Sequence, residues 1–210
     1  MSSDILQEIL IEFIEVWLHN VIYRSNLYPS QIFRSRYKYN ISVKQSTFPP
    51  LNNYIRTLVL SLQPQLRQQA IHSVTVNISL ELEIQESFTL TISYPDVIDS
   101  QLSDNEPPEK VLSSCKDSFR GHIVSVLNSD SKHDSQPSKK RTFSVSVKTS
   151  ELAGCQMSGW CGESVAELNV TSVVRPLLFT DVGLVRVQTT HRIWYFVLVV
   201  FPQSVDLLQF

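Results

Sequence analysis

Residues Ile9–Phe33 read ILIEFIEVWLHNVIYRSNLYPSQIF. Polar residues Glu8, Glu12, Glu15 and His19 fall three or four apart and form one narrow stripe. The rest of the cylinder is apolar, and a helix apolar on most sides is a buried helix. Ser3 or Asp4 can cap it, with Gln7 three residues after Asp4. It must end before Pro29, because the ring pushes Tyr28 out of the helical region. The chain therefore opens with the central beam of its own core, over about Asp4–Arg24.

Working outward, Tyr37, Tyr39, Ile41 and Val43 alternate with Lys38, Asn40 and Ser42, the period of a half-buried strand. Pro49-Pro50 introduces a second helix with Leu51, Tyr54, Ile55, Leu58, Val59 and Leu62 at helical spacing, and Pro64 is expected to end it. Val74, Val76, Ile78, Leu80 and Leu82 then alternate with polar residues, and Phe88, Leu90, Ile92 and Tyr94 repeat the pattern. That is an antiparallel hairpin with one wet face. Asp96–Glu109 is an acidic loop with Pro107-Pro108. Val111, Leu112, Cys115, Phe119, His122, Ile123, Val126 and Leu127 then mark one face of a third helix. Asn128–Lys140 reads as a connection, and Phe143, Val145 and Val147 as a strand. Beyond Thr149, Gly154, Gly159 and Gly162 suggest a long irregular loop, closed by the apolar segments Leu184–Val187 and Ile193–Phe201. This order implies an α+β sandwich, helices on one face of an antiparallel sheet.

The 210 residues suit one large domain, and the 42% hydrophobic and 18% charged fractions are those of a globular protein. A net charge of −2 excludes a strong global attraction to nucleic acid or anionic membrane. Asp4 and Glu8 occupy the place where a signal peptide would be positive, and no small-residue cleavage site follows. The longest apolar run, Ile193–Phe201, is too short to cross a bilayer, which takes roughly 20 residues. Three cysteines without a CxxC pair favour a reducing compartment. The Asn-x-Ser/Thr sites at Asn40, Asn77 and Asn169 are read as chance in that setting.

No catalytic constellation stands out. The five histidines are scattered, and none lies in a metal-binding frame such as HExxH. Cys115 and His122 share the apolar side of the third helix, where core packing is the expected role; a metal would need two further ligands. Cys155 and Cys161 flank Trp160 among the glycines but bring no partner ligands. Lys139-Lys140-Arg141 reads as a solvated loop edge rather than a localisation signal. Arg34, Arg36 and Lys38, interleaved with Tyr37 and Tyr39, have the composition of a single-strand binder, but both tyrosines are expected on the strand's apolar side.

The opening segment resembles the first helix of HORMA-domain proteins, in which an apolar helix with an acidic-Phe pair leads into Tyr-Pro, then Phe and basic residues. Here these are Glu12-Phe13, Tyr28-Pro29, Phe33, Arg34 and Arg36. Lys38-Tyr39-Asn40-Ile41-Ser42-Val43 and Pro50-Leu51-Asn52-Asn53-Tyr54-Ile55 resemble the branch that serves as accessory subunit of translesion DNA polymerase zeta. Thr142-Phe143-Ser144-Val145 and Gly183-Leu184 match more loosely. The resemblance implies a single HORMA domain over residues 1–210, with a core at 1–148 and a "seatbelt" at 149–210 that wraps a bound peptide.

It further implies a non-catalytic adaptor without cofactor or metal. Such an adaptor would clamp a proline-containing segment of the polymerase zeta catalytic subunit and bridge it to the scaffold translesion polymerase, a deoxycytidyl transferase, in DNA damage tolerance. By position, Tyr54, Leu58 and Trp160 would contact the peptide, and Arg120 would serve HORMA pairing. Leu184, Val197 and Val199 would face the scaffold polymerase, although that strand is less polar than the family's usual one. A HORMA homodimer and an AAA+ remodelling ATPase are implied partners; nucleic acid would be met only indirectly, in the nucleus and also the cytoplasm, with no membrane. Three rivals remain: a spindle-checkpoint HORMA protein, a small enzyme using Cys155 or Cys161, and a direct nucleic-acid binder through Arg34–Tyr39.

Overall fold

The computed structural model describes residues 2–81, 83–94, 108–129, 141–150, 172–181 and 185–194. Helix α1 spans Ser2–Arg24, and a short 3-10 turn at Ser30–Ile32 leads into strands β1 (Phe33–Lys38) and β2 (Ile41–Ser46). Helix α2 spans Pro49–Arg67, followed by β3 (Ile71–Leu80), β4 (Glu83–Ser93) and helix α3 (Pro108–Leu127). Strands β5 (Arg141–Thr149), β6 (Ser172–Asp181) and β7 (Arg186–Trp194) complete the described elements. β1 and β2 form a separate ribbon, and the main antiparallel sheet runs β5-β3-β4-β7-β6. This is the α+β architecture expected, with helices on one sheet face.

Helix α1 is the beam. Phe13, Ile14, Trp17, Leu18, Val21 and Ile22 are all at or below 1% exposure. Burying side chains of this size stabilises by about 1.5–3 kcal/mol each. α1 packs against α2, α3 and β2 at once, which uses three sides of the cylinder. Phe13 stacks on Phe119 of α3 with ring centroids 4.1 Å apart, and Tyr39 meets both rings edge-on. Glu12 stays in water and pairs with Lys38 at 2.7 Å. His19 and Asn20 are buried and bond β2 instead: the Lys44 N–H donates to Asn20 Oδ1 at 2.9 Å and the Ser46 N–H to His19 Nδ1 at 3.4 Å.

The inward face of the sheet carries Val74, Val76 and Ile78 from β3, Phe88, Leu90 and Ile92 from β4, and Val187 from β7. Cross-strand pairing puts Thr75, Asn77, Thr89 and Thr91 on the outer face, where the Thr75 and Thr89 hydroxyls lie 3.0 Å apart.

Within the first seventy residues the structure corrects the sequence reading in three places. Tyr39 and Asn40 both have positive φ, 50° and 59°, and form the two-residue turn of the β1–β2 hairpin, so the alternation through Tyr37–Val43 is not one strand. Tyr39 is buried while Tyr37 is 74% exposed; they do not share an apolar side. Pro64 lies inside α2, which runs on to Arg67, because the carbonyl its ring displaces belongs to Leu60 on the exposed face.

Candidate peptide-binding edge

Strand β5 is an edge of the main sheet: among the described residues it pairs only with β3. An edge strand presents a row of main-chain donors and acceptors to any extended chain alongside. The alternation of β5 aims Phe143, Val145 and Val147 at the helix layer, opposite Ile78, Val76 and Val74, and leaves Thr142, Ser144, Ser146 and Lys148 exposed. Among the described residues the edge thus offers unpaired backbone with half-buried apolar side chains at every second residue.

Helix α2 walls this edge. Pro49 sets its first turn and fixes the phase that buries Leu51, Ile55, Leu58 and Leu62. That phase turns Tyr54 outward. Its ring is 44% exposed and meets Phe143 of β5 edge-on at 5.5 Å and 89°. Burial first, and then the neighbouring Tyr28, push the Tyr54 hydroxyl above its ordinary pKa, so it stays a protonated donor. Tyr28 in turn lies 6.3 Å from Phe48, which is 40% exposed just before α2. Tyr28, Phe48, Tyr54 and Phe143 together give an aromatic shelf beside an open strand edge. Flat, amphipathic rings of this kind suit proline and apolar side chains of an extended peptide.

Of the residues expected at the site, Tyr54 stands on this shelf. Leu58, one turn on, is 7% exposed and belongs to the core, so it offers a ligand little surface. Arg120 is on α3, which packs under β6 and β7, at the other half of the sheet from Tyr54; it is partly exposed and bonds Asp117 at 3.2 Å. Trp160, Leu184, Val197 and Val199 lie outside the described residues, as do Cys155 and Cys161. Sequence reasoning missed Tyr28 and Phe48 as members of this shelf. Their signal was an aromatic directly before each proline of Tyr28-Pro29 and Phe48-Pro49. Cys115 and His122 are both fully buried, Cys115 with its thiol pushed up to about 11 by burial. No group of three metal-ligating side chains occurs among the described residues.

Topology adds a second element to the site. The chain leaves β5 at the end where Thr149 opposes Ile71. It resumes at Ser172, opposite Trp194, on the far edge and at the opposite end of the sheet. Five strands at about 4.8 Å spacing set those edges roughly 19 Å apart.

A family profile described as "HORMA domain" matches residues 7–156. The chain is 33% identical over 152 residues, 72% of its own length and 69% of the relative's, to "Mitotic spindle assembly checkpoint protein MAD2B" of Danio rerio. It is 28% identical over 159 residues to "DNA polymerase zeta subunit 2" of Drosophila melanogaster, covering 75% of this chain and 77% of that one. Among solved structures, C. elegans HTP-1 bound to HTP-3 motif-1 superimposes with a TM-score of 0.69 at 15% identity, covering 92% of each chain. That coverage carries the likeness of fold past residue 156. The chain belongs to the HORMA-domain family.

Proposed function

We propose that this protein is the non-catalytic adaptor subunit of translesion DNA polymerase zeta. It captures a proline-containing segment of the catalytic subunit as an extra strand on β5 and bridges that subunit to the scaffold translesion polymerase, a deoxycytidyl transferase. The observation that carries the reading is the β5 edge, unpaired on one side among the described residues, beside the Tyr54 shelf. Main-chain bonds to β5 supply affinity, and the shelf supplies selectivity for proline. The seatbelt region expected at 149–210 slows release of the peptide, which is how affinity within one interface is mostly set. The similarity to a relative named as a polymerase zeta subunit supports the choice of client. The contact with the scaffold polymerase is assigned to the β6–β7 hairpin, where Val174 and Phe179 are 47% and 59% exposed, and to Leu184, Val197 and Val199 next to it in sequence. The work is nuclear.

Tyr54→Ala tests the shelf. Its ring is half exposed and its loss opens no core cavity, so the thermal midpoint should hold within about 2 °C. Affinity for a proline-containing peptide from the catalytic subunit should fall by about 1–3 kcal/mol in titration calorimetry, as for an aromatic anchor. Unchanged affinity would remove Tyr54 from the site. The name of the Danio relative favours a second reading, a checkpoint HORMA protein. Co-purification decides between them: a large B-family polymerase supports the first, and checkpoint or anaphase-promoting-complex partners the second.

A further inference from the structure

From Val16 to Leu80 the chain contains no aspartate or glutamate, although it carries 20 of them in all. The same stretch holds seven of its 18 lysines and arginines. Charge segregated in this way gives one part of a nearly neutral protein a local field that the whole does not have. Some of these cations are already engaged. Arg24 is buried and donates to the Ser129 carbonyl, and Lys38 pairs with Glu12. Lys44 bonds the Ser35 hydroxyl at 3.0 Å and lies over the Tyr23 ring. Arg34 and Arg36 are different. Both are exposed on β1, and among the described residues neither makes an ion pair or a side-chain hydrogen bond. Their neighbours across the ribbon, Gln45 and Val43, are uncharged.

The ribbon sets these side chains along an open edge. α1 closes the edge of β2, where Asn20 and His19 accept from the Lys44 and Ser46 N–H groups. β1 pairs with β2 alone among the described residues, and every residue from Arg34 to Lys38 is exposed. Strand alternation puts Arg34, Arg36 and Lys38 on one side at intervals of about 7 Å, and Ser35 and Tyr37 on the other. Tyr37 is 74% exposed and has no ring contact among the described residues. The expectation of an apolar-side Tyr37 counts against nucleic acid, and the turn at Tyr39 and Asn40 removes that objection. Cations alone would keep this edge from pairing with another strand; a large ring in water adds nothing to that protection.

We propose that the outer edge of β1 binds single-stranded nucleic acid, with Arg34 and Arg36 on successive phosphates and Tyr37 stacked on a base. A single strand is two-sided in the same sense as β1, with phosphates along one side and bases along the other. The step between alternate strand residues is close to that between phosphates of an extended chain. Guanidinium planes bond phosphate through two N–H groups at once, and the tyrosine ring offers a face on which any base can stack. An acidic peptide would use the cations but not the ring, whose electron-rich face repels carboxylates. A two-stranded ribbon can enter the major groove of a duplex, but this one lies on α1 with Val43 buried between them. Two carboxylates bound the site on its inner side. Glu12 and Glu15 line a groove of about 440 Å³ between α1 and the ribbon, opposite Arg36 and Lys38. They disfavour phosphate in the groove, so the nucleic-acid backbone follows the outer edge. The β1 edge shares no residue with the Tyr54 shelf, and the inference stands apart from the adaptor reading.

Fluorescence anisotropy of a labelled oligothymidylate, titrated with the full chain, tests this. Binding should weaken with salt, with log K against log salt at a slope of about −1.4 for two neutralised phosphates. Arg34→Ala and Arg36→Ala should each bring that slope about 0.7 nearer to zero. Tyr37→Ala should weaken binding about 5- to 140-fold, the loss of one stacked base, and leave the slope unchanged. All three side chains are exposed, so the variants should melt at the wild-type temperature. Tyr54→Ala should bind the oligonucleotide as wild type does. No binding at about 50 mM salt overturns the proposal, as does unchanged affinity in Tyr37→Ala. Displacement of the oligonucleotide by polyglutamate or by duplex DNA as readily as by unlabelled oligothymidylate overturns it too. Absence of peptide capture in calorimetry would sink the adaptor reading and leave this edge as it is.

Discussion

At Asn20 a single amide does the work of a strand neighbour. Its Oδ1 accepts from the Lys44 N–H at 2.9 Å, and its Nδ2 donates to the Val16 carbonyl at 2.7 Å and the Lys44 carbonyl at 3.4 Å. The side chain is fully buried, so water cannot replace those bonds. Asn20→Ala should therefore cost about 1–3 kcal/mol, the range for leaving a buried partner unsatisfied, and the chemical denaturation midpoint would show it. A loss below about 0.5 kcal/mol would mean that the ribbon does not depend on this amide. Residue detail of this kind was poorly legible in the sequence. His19 sat on the polar stripe of α1 with the three glutamates, yet only it is buried, because β2 covers that end of the stripe. Tyr39 broke a local rule outright. A tyrosine at φ 50° is unfavourable on its own, and it is held there by burial against Phe13 and Phe119 and by its hydroxyl donating to Glu12 at 3.1 Å. Tertiary contacts set that turn, and no local pattern announces them.

At the scale of elements, periodicity carried well where each strand or helix kept one phase. α1, α3, the β3–β4 hairpin and β5 stand where their apolar spacing puts them. β6 was missed for a physical reason. Its sequence, SVVRPLLFTD, contains Pro176, and the ladder shifts between Pro176 and Leu178. The bulge flips the inward phase, so Val173 and Arg175 face the same way as Leu178 and Thr180, and no single alternation fits. Proline is tolerated there because β6 is an edge strand. The contact of β6 with α3 yields a test. At Gly121 an alanine would gain about 1 kcal/mol of helix propensity and press only on the flexible end of Leu178, so Gly121→Ala should be close to neutral. Gly121→Val adds branches into the same hollow and should cost about 1–3 kcal/mol. The cost should appear in hydrogen exchange as faster β6–β7 amides with β3 unchanged. Equal exchange in all three proteins would show that Leu178 does not depend on the hollow.

At the scale of the molecule, the buried first helix explains the division of labour. Because α1 already touches α2, α3 and β2, most of the core comes from the first half of the chain together with α3, and Val185 and Val187 complete it. The two edges of the main sheet are then left to late elements, β5 at one side and β6 at the other. The candidate peptide edge and the β6–β7 hairpin therefore sit at opposite borders of one sheet, and Arg120 sits near the hairpin on α3. We propose that Arg120 serves HORMA pairing from this border of the sheet. Its ion pair with Asp117 joins side chains 42% and 56% exposed on one helix, and such a pair contributes at most about 1 kcal/mol. Arg120→Ala should leave the fold and the Tyr54 shelf intact, so a change of assembly cannot be blamed on unfolding. In a two-fold pairing through α3 the same arginine would act twice, once from each protomer, and a single substitution removes both contacts. Wild-type protein should then show dimer by light scattering at concentrations where Arg120→Ala runs as monomer, while both capture the proline-containing peptide with equal affinity. Equal masses for the two proteins across the accessible concentration range would remove Arg120 from any pairing surface. Loss of peptide capture in the variant would instead show that the two borders of the sheet are coupled through α3.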